Sequence, residues 1–521
     1  MANESGHAQP VINPWIIAVA VMLSTFMEVL DTTVVNVSLQ HIAGSLSATV
    51  DEATWALTSY LVANAIVLPL TGWLSNFFGR KRLLMMAVTG FTIASFFCGL
   101  SWNLPALVFF RILQGACGGC LQPISQAVLL ESFRPEDRGK AMGFWGLGIV
   151  VAPMLGPVLG GWLTDSYTWR WVFYINIPVG VASIIMTKLF LFDPPYIRRS
   201  TSKVDYWGIG MLAVGVGALQ VVLDRGQEAD WFGAHWITAL TIISVVGFAL
   251  FFVQELTTAH PVVRLQVFRE RTYATGVFLM TVLGFVLYGS LVILPILLQT
   301  LLGYPALQAG IAMAPRGVGS FIAMPLVGII MSKFDPRKLL GFGILVAALT
   351  LFQLSWLNLS AGYWDIFWPQ IVQGVSLGFL FVPLTTTTMD PIPKEEMGNA
   401  TSIFNLMRNI GGSMGIAGAT TLIDRRMQAY TNILGADVNP YRPEVLERLR
   451  QMQGAFQAGG ADAYTSGQKA LAATFGGLER QASMLSFNEA FRTLGFLFVL
   501  IVPLVLLLRR PRTSASITAG H

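Results

Sequence analysis

The sequence predicts an all-α polytopic membrane protein with fourteen transmembrane helices. Of its 521 residues, 54% are hydrophobic and only 12% are charged, whereas about 25% of a soluble globular domain is charged. Apolar runs of about 20 residues, the length that crosses a bilayer, recur along the whole chain. The basic residues between these runs fall almost entirely in every second loop, which indicates a membrane orientation. The net charge of +5 therefore reflects topology, and no nucleic-acid partner is expected.

The fourteen predicted helices follow one another along the chain. Their apolar runs lie near residues 15–37, 54–75, 83–101, 106–130, 141–164, 171–191, 206–223, 236–255, 272–298, 308–331, 338–357, 364–386, 398–422 and 488–508. With the amino terminus in the cytoplasm, nineteen Lys and Arg residues fall on the cytoplasmic side, and two, Arg170 and Arg225, fall in short outer loops. Because basic residues remain on the cytoplasmic side, both termini, 1–14 and 509–521, are predicted to be cytoplasmic.

A repeat within the chain predicts how these helices are organised. The segments GWLSNFFGRKRLL at 72–84 and GIIMSKFDPRKLL at 328–340 align without gaps. Each copy follows the second helix of a set of six, so residues 15–191 and 272–508 are predicted to form two six-helix halves. Residues 192–271 then form a linker that contains two inserted transmembrane helices. Parallel repeats of this kind are typical of transporters.

The segment 424–487 is the one long loop on the predicted outer side, and it holds seven basic and six acidic residues. A helix is predicted from Pro443 onward, because the apolar side chains that follow recur at helical spacing. A second helix is predicted across 466–486. Two interpretations of this segment stay open, a solvated cap on the membrane domain and a docking surface for a partner.

Few ionisable side chains lie inside the predicted spans, where a charge is costly and usually functional. Those selected as functional candidates are Glu28, Asp31, Arg111, Arg316 and Arg408. Asp31 and Arg111 lie at matching depth, roughly 8–9 Å below the outer surface at a rise of about 1.5 Å per residue. They are expected to form either a permanent ion pair or a pair that switches, in which only Asp31 carries a proton. Glu28 lies one turn deeper. Three roles stay open for it: a proton-binding group, a group that faces a cationic ligand, and a hydrogen-bonded packing residue.

Large and small side chains in the spans predict a substrate cavity and a packing surface. The cavity candidates, which accept varied apolar shapes, are Met27, Glu28, Trp145, Phe285, Tyr288, Phe404 and Arg408. In the fifth span, Gly148, Ala152, Gly156 and Gly160 recur every four residues, a spacing of small side chains that permits close helix approach. Pro153 and Pro157 remove backbone donors there and predict a bend.

Missing patterns exclude several classes of chemistry. No G-x-x-x-x-G-K-[ST] loop is present, so ATP hydrolysis is not the expected energy source. All five histidines lie in predicted loops or at a terminus, which argues against a haem or an intramembrane metal centre. Cys117 and Cys120 lie in the middle of a span and are interpreted as small packing residues rather than a redox pair. No cofactor and no enzymatic activity are predicted.

These motifs together resemble the major facilitator superfamily, and within it the fourteen-span drug:proton antiporters of the EmrB/QacA type. LDTTVVNVSL (30–39), RILQG around Arg111, and WRWVFYINIPVG (169–180) are similar to motifs of that family. The resemblance to its antiporter motif is carried by Gly148, Pro153, Gly156, Pro157, Gly160 and Gly161. The resemblance to its loop-two motif is carried by Gly72, Gly79, Arg80 and Lys81. Asn76 and Phe77 replace the usual Asp and Arg of that loop, which weakens a charge relay there.

The resemblance implies the major facilitator fold, with two six-helix halves around a central cavity, two extra helices and alternating access. It implies proton-driven export of hydrophobic or amphipathic toxic compounds, with Asp31, Arg111 and Glu28 in proton coupling. It also implies a Gram-negative inner membrane, a periplasmic adaptor (membrane fusion) protein and an outer-membrane channel. Two alternatives stay open: a transporter of one metabolite on the same scaffold, and a non-transporting scaffold or sensor that acts through residues 424–487.

Overall fold

The computed structural model describes residues 13–193, 205–258, 261–439 and 441–509, and within these ranges the chain is helical and has no β-strand. Thirteen described helices are long and apolar enough to cross a membrane. The main helices are α1 (Pro14–Val37), α2 (Val50–Phe78), α3 (Arg80–Leu100), α4 (Leu104–Ser132), α5 (Pro135–Ser166), α6 (Trp171–Phe190), α7 (Tyr206–Arg225), α8 (His235–Thr257), α9 (Arg271–Leu301), α10 (Gln308–Ile330), α11 (Pro336–Leu354), α12 (Tyr363–Met389), α13 (Met397–Asp437), α14 (Pro443–Ala458) and α15 (Ala463–Leu507). The predicted all-α membrane fold is confirmed.

The predicted thirteenth span lies in α13, which is too polar to count among those thirteen helices. Its polar side chains face protein rather than lipid: Asn405 Nδ2 donates to Gln126 Oε1 of α4 at 2.5 Å. The helix packs along α9 and α15 and against α2 and α4. A helix whose polar groups find partners inside the bundle does not need the apolar composition of a lipid-facing one.

The region predicted as a long loop is mostly a continuation of two spans. Helix α13 runs without a break to Asp437, and α15 begins at Ala463, where the Asp462 side chain accepts a hydrogen bond from Thr465 N. The helix predicted from Pro443 is α14, and it packs on α15. Both helices predicted within 424–487 are therefore present, as α14 and the first part of α15, and the described residues of this segment form a helical extension of the membrane bundle. A fall in hydropathy shows where a helix leaves the lipid. The helix itself continues beyond that point for as long as its backbone hydrogen bonds continue.

Two sets of six helices pack into two halves, α1–α6 and α9–α13 with α15. In the first half α1 packs on α5 and α6, and α2 packs on α4; in the second, α9 packs on α13, and α10 and α11 pack on α12. Helices α7 and α8 pack on each other, and α7 also contacts α2 and α13. The halves meet where α5 contacts α10 and α12, and where α13 contacts α2 and α4.

The two ends of the bundle differ in how closely the halves approach. We call the end with the Arg80–Arg82 turn the basic end, and the end from which residues 424–487 project the extension end. At the basic end a Cβ on Gly72 would lie 2.6 Å from Asn399 Cα, and one on Gly328 would lie 2.7 Å from Gly139 O. Gly72 and Gly328 are equivalent positions of the internal repeat, so each half supplies one glycine to a close crossing with the other.

At the extension end a cleft of about 320 Å³ separates α1, α2, α7 and α13. We call it the outer cleft. The two halves thus approach each other closely at the basic end, and the outer cleft lies at the extension end.

Candidate functional site

Helix α1, which carries Glu28 and Asp31, is held close to α5 by the predicted stripe of small residues. A Cβ on Gly160 would lie 2.9 Å from Val34 O, and a Cβ on Gly148 would lie 3.1 Å from Met22. Gly156 is in contact with Thr33 in the same way. The stripe is therefore the surface on which α5 packs against the acid-bearing helix. Gly161, the last glycine of the motif, has open space at its Cβ position, and Pro153 and Pro157 lie inside the continuous helix.

Asp31 and Arg111 are brought together as a fully buried ion pair. Arg111 Nη1 lies 2.5 Å from Asp31 Oδ2, and both side chains are 0% exposed. Asp31 Oδ1 accepts two further hydrogen bonds, from Gln114 Nε2 at 2.9 Å and Asn176 Nδ2 at 2.7 Å. A buried carboxylate needs such partners, because a charge without them is very costly to bury. The depth match predicted for these two residues is present in the structure.

Arg111 is held by more than its acid partner. Its Nε donates to Ala56 O at 2.9 Å, its Nη1 donates to Gln114 Oε1 at 2.8 Å, and its guanidinium carbon lies 4.1 Å from the centre of the Tyr60 ring. Its Nη2 has no hydrogen-bond partner among the described residues. Because α2 and the Tyr60 ring retain it, Arg111 keeps its position if Asp31 takes up a proton. The geometry therefore permits the switching interpretation of the pair.

Glu28 lies at the centre of a second polar network that joins the two halves. Gln122 Nε2 donates to Glu28 Oε2 at 2.5 Å, and Asn64 Nδ2 donates to Glu28 Oε1 at 3.1 Å. Arg408 of α13 donates through Nη2 to Gln122 Oε1. No basic partner for Glu28 was evident from the sequence. The structure supplies one indirectly, because a single Gln side chain links this carboxylate to a cation of the opposite half.

The predicted cavity residues divide into two groups. Met27, Trp145 and Phe404 are buried in the main hydrophobic core, where Trp145 Nε1 donates to Thr25 Oγ1 at 3.3 Å. Phe285 and Tyr288 lie on α9 against the glycines of α13, so each has a packing role in this state. All five side chains thus have packing contacts in this structure, and their contact with substrate stays a prediction.

Arg316 is buried in α10 and forms no ion pair among the described residues. Its neighbours along the helix contact both α5 and α12, since a Cβ on Gly317 would meet Met154 and the Ser320 hydroxyl donates to Gly374 O at 2.9 Å. It therefore lies on the side of α10 that faces the other helices of the bundle rather than lipid.

The loop-two motif forms a brace within the first half. Gly79 has a φ of +85°, which only glycine adopts easily, and Lys81 N donates to Asp193 Oδ1 at 2.8 Å. Arg80 pairs with Glu131 at the end of α4. Glu131 belongs to the first half and Asp193 directly follows its last helix, so the charges of this loop fasten α3 to its neighbours. Phe77, which replaces the usual Arg, stacks on Trp73 with ring centres 5.4 Å apart.

The amide side chains of the site were not selected from the sequence. Gln114 and Asn176 hold Asp31, and Asn64 and Gln122 hold Glu28. Each is an uncharged polar residue inside an apolar run, a weaker signal than a charge. A search for Asn and Gln in the predicted spans would have found them, although it would also have returned residues that serve packing alone.

Comparison with known proteins places the chain among membrane transporters. The profile of the Major Facilitator Superfamily matches residues 21–416. Multidrug export protein EmrB of Escherichia coli (strain K12) is 36% identical over 497 residues, which cover 95% of each chain. Fatty acid resistance protein FarB of Neisseria gonorrhoeae is 38% identical over 504 residues, which cover 96% of each chain.

Solved structures match the fold at low sequence identity. A double-tryptophan mutant of XylE has a TM-score of 0.61 at 15% identity and covers 96% of this chain and 97% of its own. The human organic anion transporter MFSD10 (TETRAN) has a TM-score of 0.59 at 13% identity and covers 94% of this chain and 100% of its own. These matches concern the fold alone.

Proposed function

This chain belongs to the major facilitator superfamily and is EmrB-like over nearly its whole length, and from that premise we propose that it exports varied toxic compounds in exchange for protons. It is a multi-pass membrane protein and a secondary transporter, not an enzyme. Its relatives carry names of multidrug export and resistance proteins. Multidrug efflux by alternating access is the function that fits these similarities and the arrangement of the two halves.

One observation carries the proton-coupling part of the proposal. The carboxyl group of Asp31 is the proton-binding group, because it is buried against Arg111 while Arg111 also lines the outer cleft. Uptake of a proton neutralises Asp31 and weakens its attraction to Arg111, which stays attached to Ala56 O and the Tyr60 ring. A proton that descends the membrane potential supplies about 2.3 kcal/mol per 100 mV.

Glu28 connects this chemistry to the contact between the halves. Its network reaches Arg408 of the second half through Gln122. A proton that binds Glu28 removes a hydrogen-bond acceptor for Gln122, and a cationic drug at Glu28 adds a competing charge. Either change alters the hydrogen-bonded bridge from Glu28 through Gln122 to Arg408. Binding at Glu28 is thereby linked to the separation of α4 and α13.

The orientation and location follow from the same proposal. The basic end faces the cytoplasm, with both termini, and the extension end faces the periplasm across the inner membrane. This assignment is supported by the excess of Lys and Arg in the loops of the basic end.

We further propose that the helical extension binds a periplasmic adaptor protein that leads to an outer-membrane channel. The extension is supported as a docking element by its length, since α13 and α15 project as continuous helices with α14 packed on α15. Deletion of α14, residues 443–458, should abolish drug tolerance of cells and leave drug:proton exchange in vesicles intact. Loss of both activities, or of neither, would contradict the adaptor role.

The test of the main proposal is drug-driven proton movement in proteoliposomes. Wild-type protein should move protons when a drug gradient is applied, and Asp31→Asn should reduce that movement at least tenfold. Asp165→Asn is the matched control, because Asp165 is an exposed acid at the same end of the bundle. If Asp31→Asn exchanges protons for drug at a rate near that of wild type, the coupling role of Asp31 is wrong.

A further inference from the structure

The outer cleft contains acidic and hydroxyl side chains that the proposed transport cycle does not yet use. It is enclosed by residues of the first half, by the inserted helix α7 and by α13. Its lining comprises Thr32, Thr33, Asn36, Leu39, Thr54, Leu57, Thr58, Tyr60, Leu61, Arg111, Asp224, Arg225, Glu228 and Ile416. Arg111, the partner of Asp31, therefore opens onto the same cavity as two carboxylates near the end of α7.

The two carboxylates have different partners. Glu228 pairs with Arg225, whose Nη1 lies 2.6 Å from Glu228 Oε2. Asp224 instead accepts a hydrogen bond from the Thr58 hydroxyl of α2. A carboxylate whose partner is a neutral hydroxyl exchanges a proton without breaking an ion pair, so Asp224 is the more suitable proton acceptor of the two.

Other charged groups surround Asp224 on every helix that packs near it. Arg225 and Glu228 lie beside it, and Arg111 lies deeper in the cleft. Further charged or titratable groups at the extension end of the adjoining elements are Asp51 and Glu52 on α2, Asp230 before α8, His235 at the start of α8, and Asp424, Arg425 and Arg426 on α13. Arg225 also donates to Asp51 O at 3.2 Å and to the Thr54 hydroxyl, so its charge is directed toward α2 as well as toward Glu228.

We propose that Asp224 collects the proton that drives transport and delivers it to Asp31 through the outer cleft; this rests on the proposed function. A hydronium ion in the aqueous phase loses a proton, which forms an O–H bond on Asp224 and leaves water. That bond then breaks as the proton passes to water in the cleft, and an O–H bond forms on Asp31 as its ion pair with Arg111 weakens. Protons and charge balance without another reactant. The inserted helix α7 thus supplies a coupling residue rather than only two more spans.

The physical reason for such a residue is the low concentration of free protons. A negatively charged group at the mouth of a narrow cavity raises the local concentration of cations, by about 10- to 1,000-fold in favourable cases. This gain matters most when protons are scarce, because proton capture then limits the rate. At low external pH, where protons are abundant, Asp31 is protonated directly and Asp224 becomes dispensable.

The test compares drug:proton exchange at two external pH values in proteoliposomes oriented with the extension end outside. Asp224→Asn, which keeps an oxygen acceptor for Thr58, should slow exchange about tenfold at external pH 8 and by less than about twofold at pH 6. Asp224→Glu should restore the wild-type rate at both values. Asp51→Asn, an exposed acid at the same end that does not line the cleft, should behave like wild type.

Three results would overturn the proposal. The first is an Asp224→Asn rate that is unchanged at both pH values. The second is a rate that is reduced equally at both, which would indicate that Asp224 only docks α7 on α2. Thr58→Val separates docking from proton collection, since it removes the hydrogen bond and keeps the carboxylate; it should retain the wild-type pH dependence. A Thr58→Val profile that matches Asp224→Asn would also contradict proton collection. If the wild-type protein moves no protons, the proposed function itself is refuted. If the wild-type protein couples drug to protons but the effect of Asp224→Asn on the rate does not depend on pH, only this inference is refuted.

Discussion

Gly72→Ala is expected to shift the transporter away from the state that is closed at the basic end. The added Cβ would lie 2.6 Å from Asn399 Cα and 2.8 Å from Asn399 N, both backbone atoms. Carbon atoms in ordinary contact are about 3.5–4.0 Å apart, so α2 and α13 would have to separate by about 1 Å. Overpacking of this kind costs about 1–3 kcal/mol, and the cost applies only while the two helices touch.

This cost converts into a measurable change of population. A difference of about 1–3 kcal/mol between two states corresponds to a roughly 5- to 150-fold change in their ratio. Ser75 lies at the same crossing and is buried, so a cysteine placed there reacts with a polar maleimide only when the basic end opens. In a background without the three native cysteines, Ser75→Cys labelling should become at least fivefold faster when Gly72→Ala is present.

The control and the refuting result use the same labelling experiment. Gly161→Ala adds a methyl group where no atom lies within 4 Å, and it should leave Ser75→Cys labelling unchanged. A second reporter, Asn36→Cys in the outer cleft, should label more slowly in Gly72→Ala because the cleft is populated less. If neither labelling rate changes in a folded Gly72→Ala protein, the Gly72 crossing does not determine the access state.

Three further predictions follow from the same contacts. Gly328→Ala, the equivalent position of the repeat, should accelerate labelling at the basic end in the same direction, because its Cβ would lie 2.7 Å from Gly139 O; slower labelling would contradict the symmetry of the two crossings. Gly160→Ala should lower the free energy of unfolding by about 1–3 kcal/mol in thermal unfolding, because its Cβ would meet α1. Gly161→Ala, which has open space, should be neutral or stabilise by up to about 1 kcal/mol. Equal effects of the two substitutions would mean that the α1–α5 contact is not tight. Purified wild-type protein should release protons when a cationic drug binds. Glu28→Gln should still bind the drug but release fewer protons. An undiminished proton release from Glu28→Gln would exclude Glu28 as the group that loses the proton.

The helices could be predicted from the sequence because lipid contact requires long apolar runs, and the depth of Asp31 and Arg111 could be predicted because helical rise is constant. Both follow from periodicity and length alone. The extent of α13 could not be predicted in this way, since hydropathy decreases at the membrane surface and the helix does not end there.

The partners of the acids could not be predicted for a different reason. A hydrogen bond such as that from Gln122 to Glu28 depends on the rotation of two helices about their axes, and no spacing within one span determines this. Likewise, Phe285 and Tyr288 were expected in a cavity because aromatic side chains often line one. Their rings meet the glycines of α13 because those glycines leave room for them.

The unbroken course of α13 has a mechanical consequence. Arg408 bridges to the first half inside the membrane, and the same helix ends at Asp437 in the extension. At about 1.5 Å per residue the stretch between them is roughly 44 Å long, so a tilt of about 5° at Arg408 displaces the far end by about 4 Å. The helix therefore acts as a lever arm, which converts a small rearrangement around a buried proton into a displacement that a protein bound to the extension can sense.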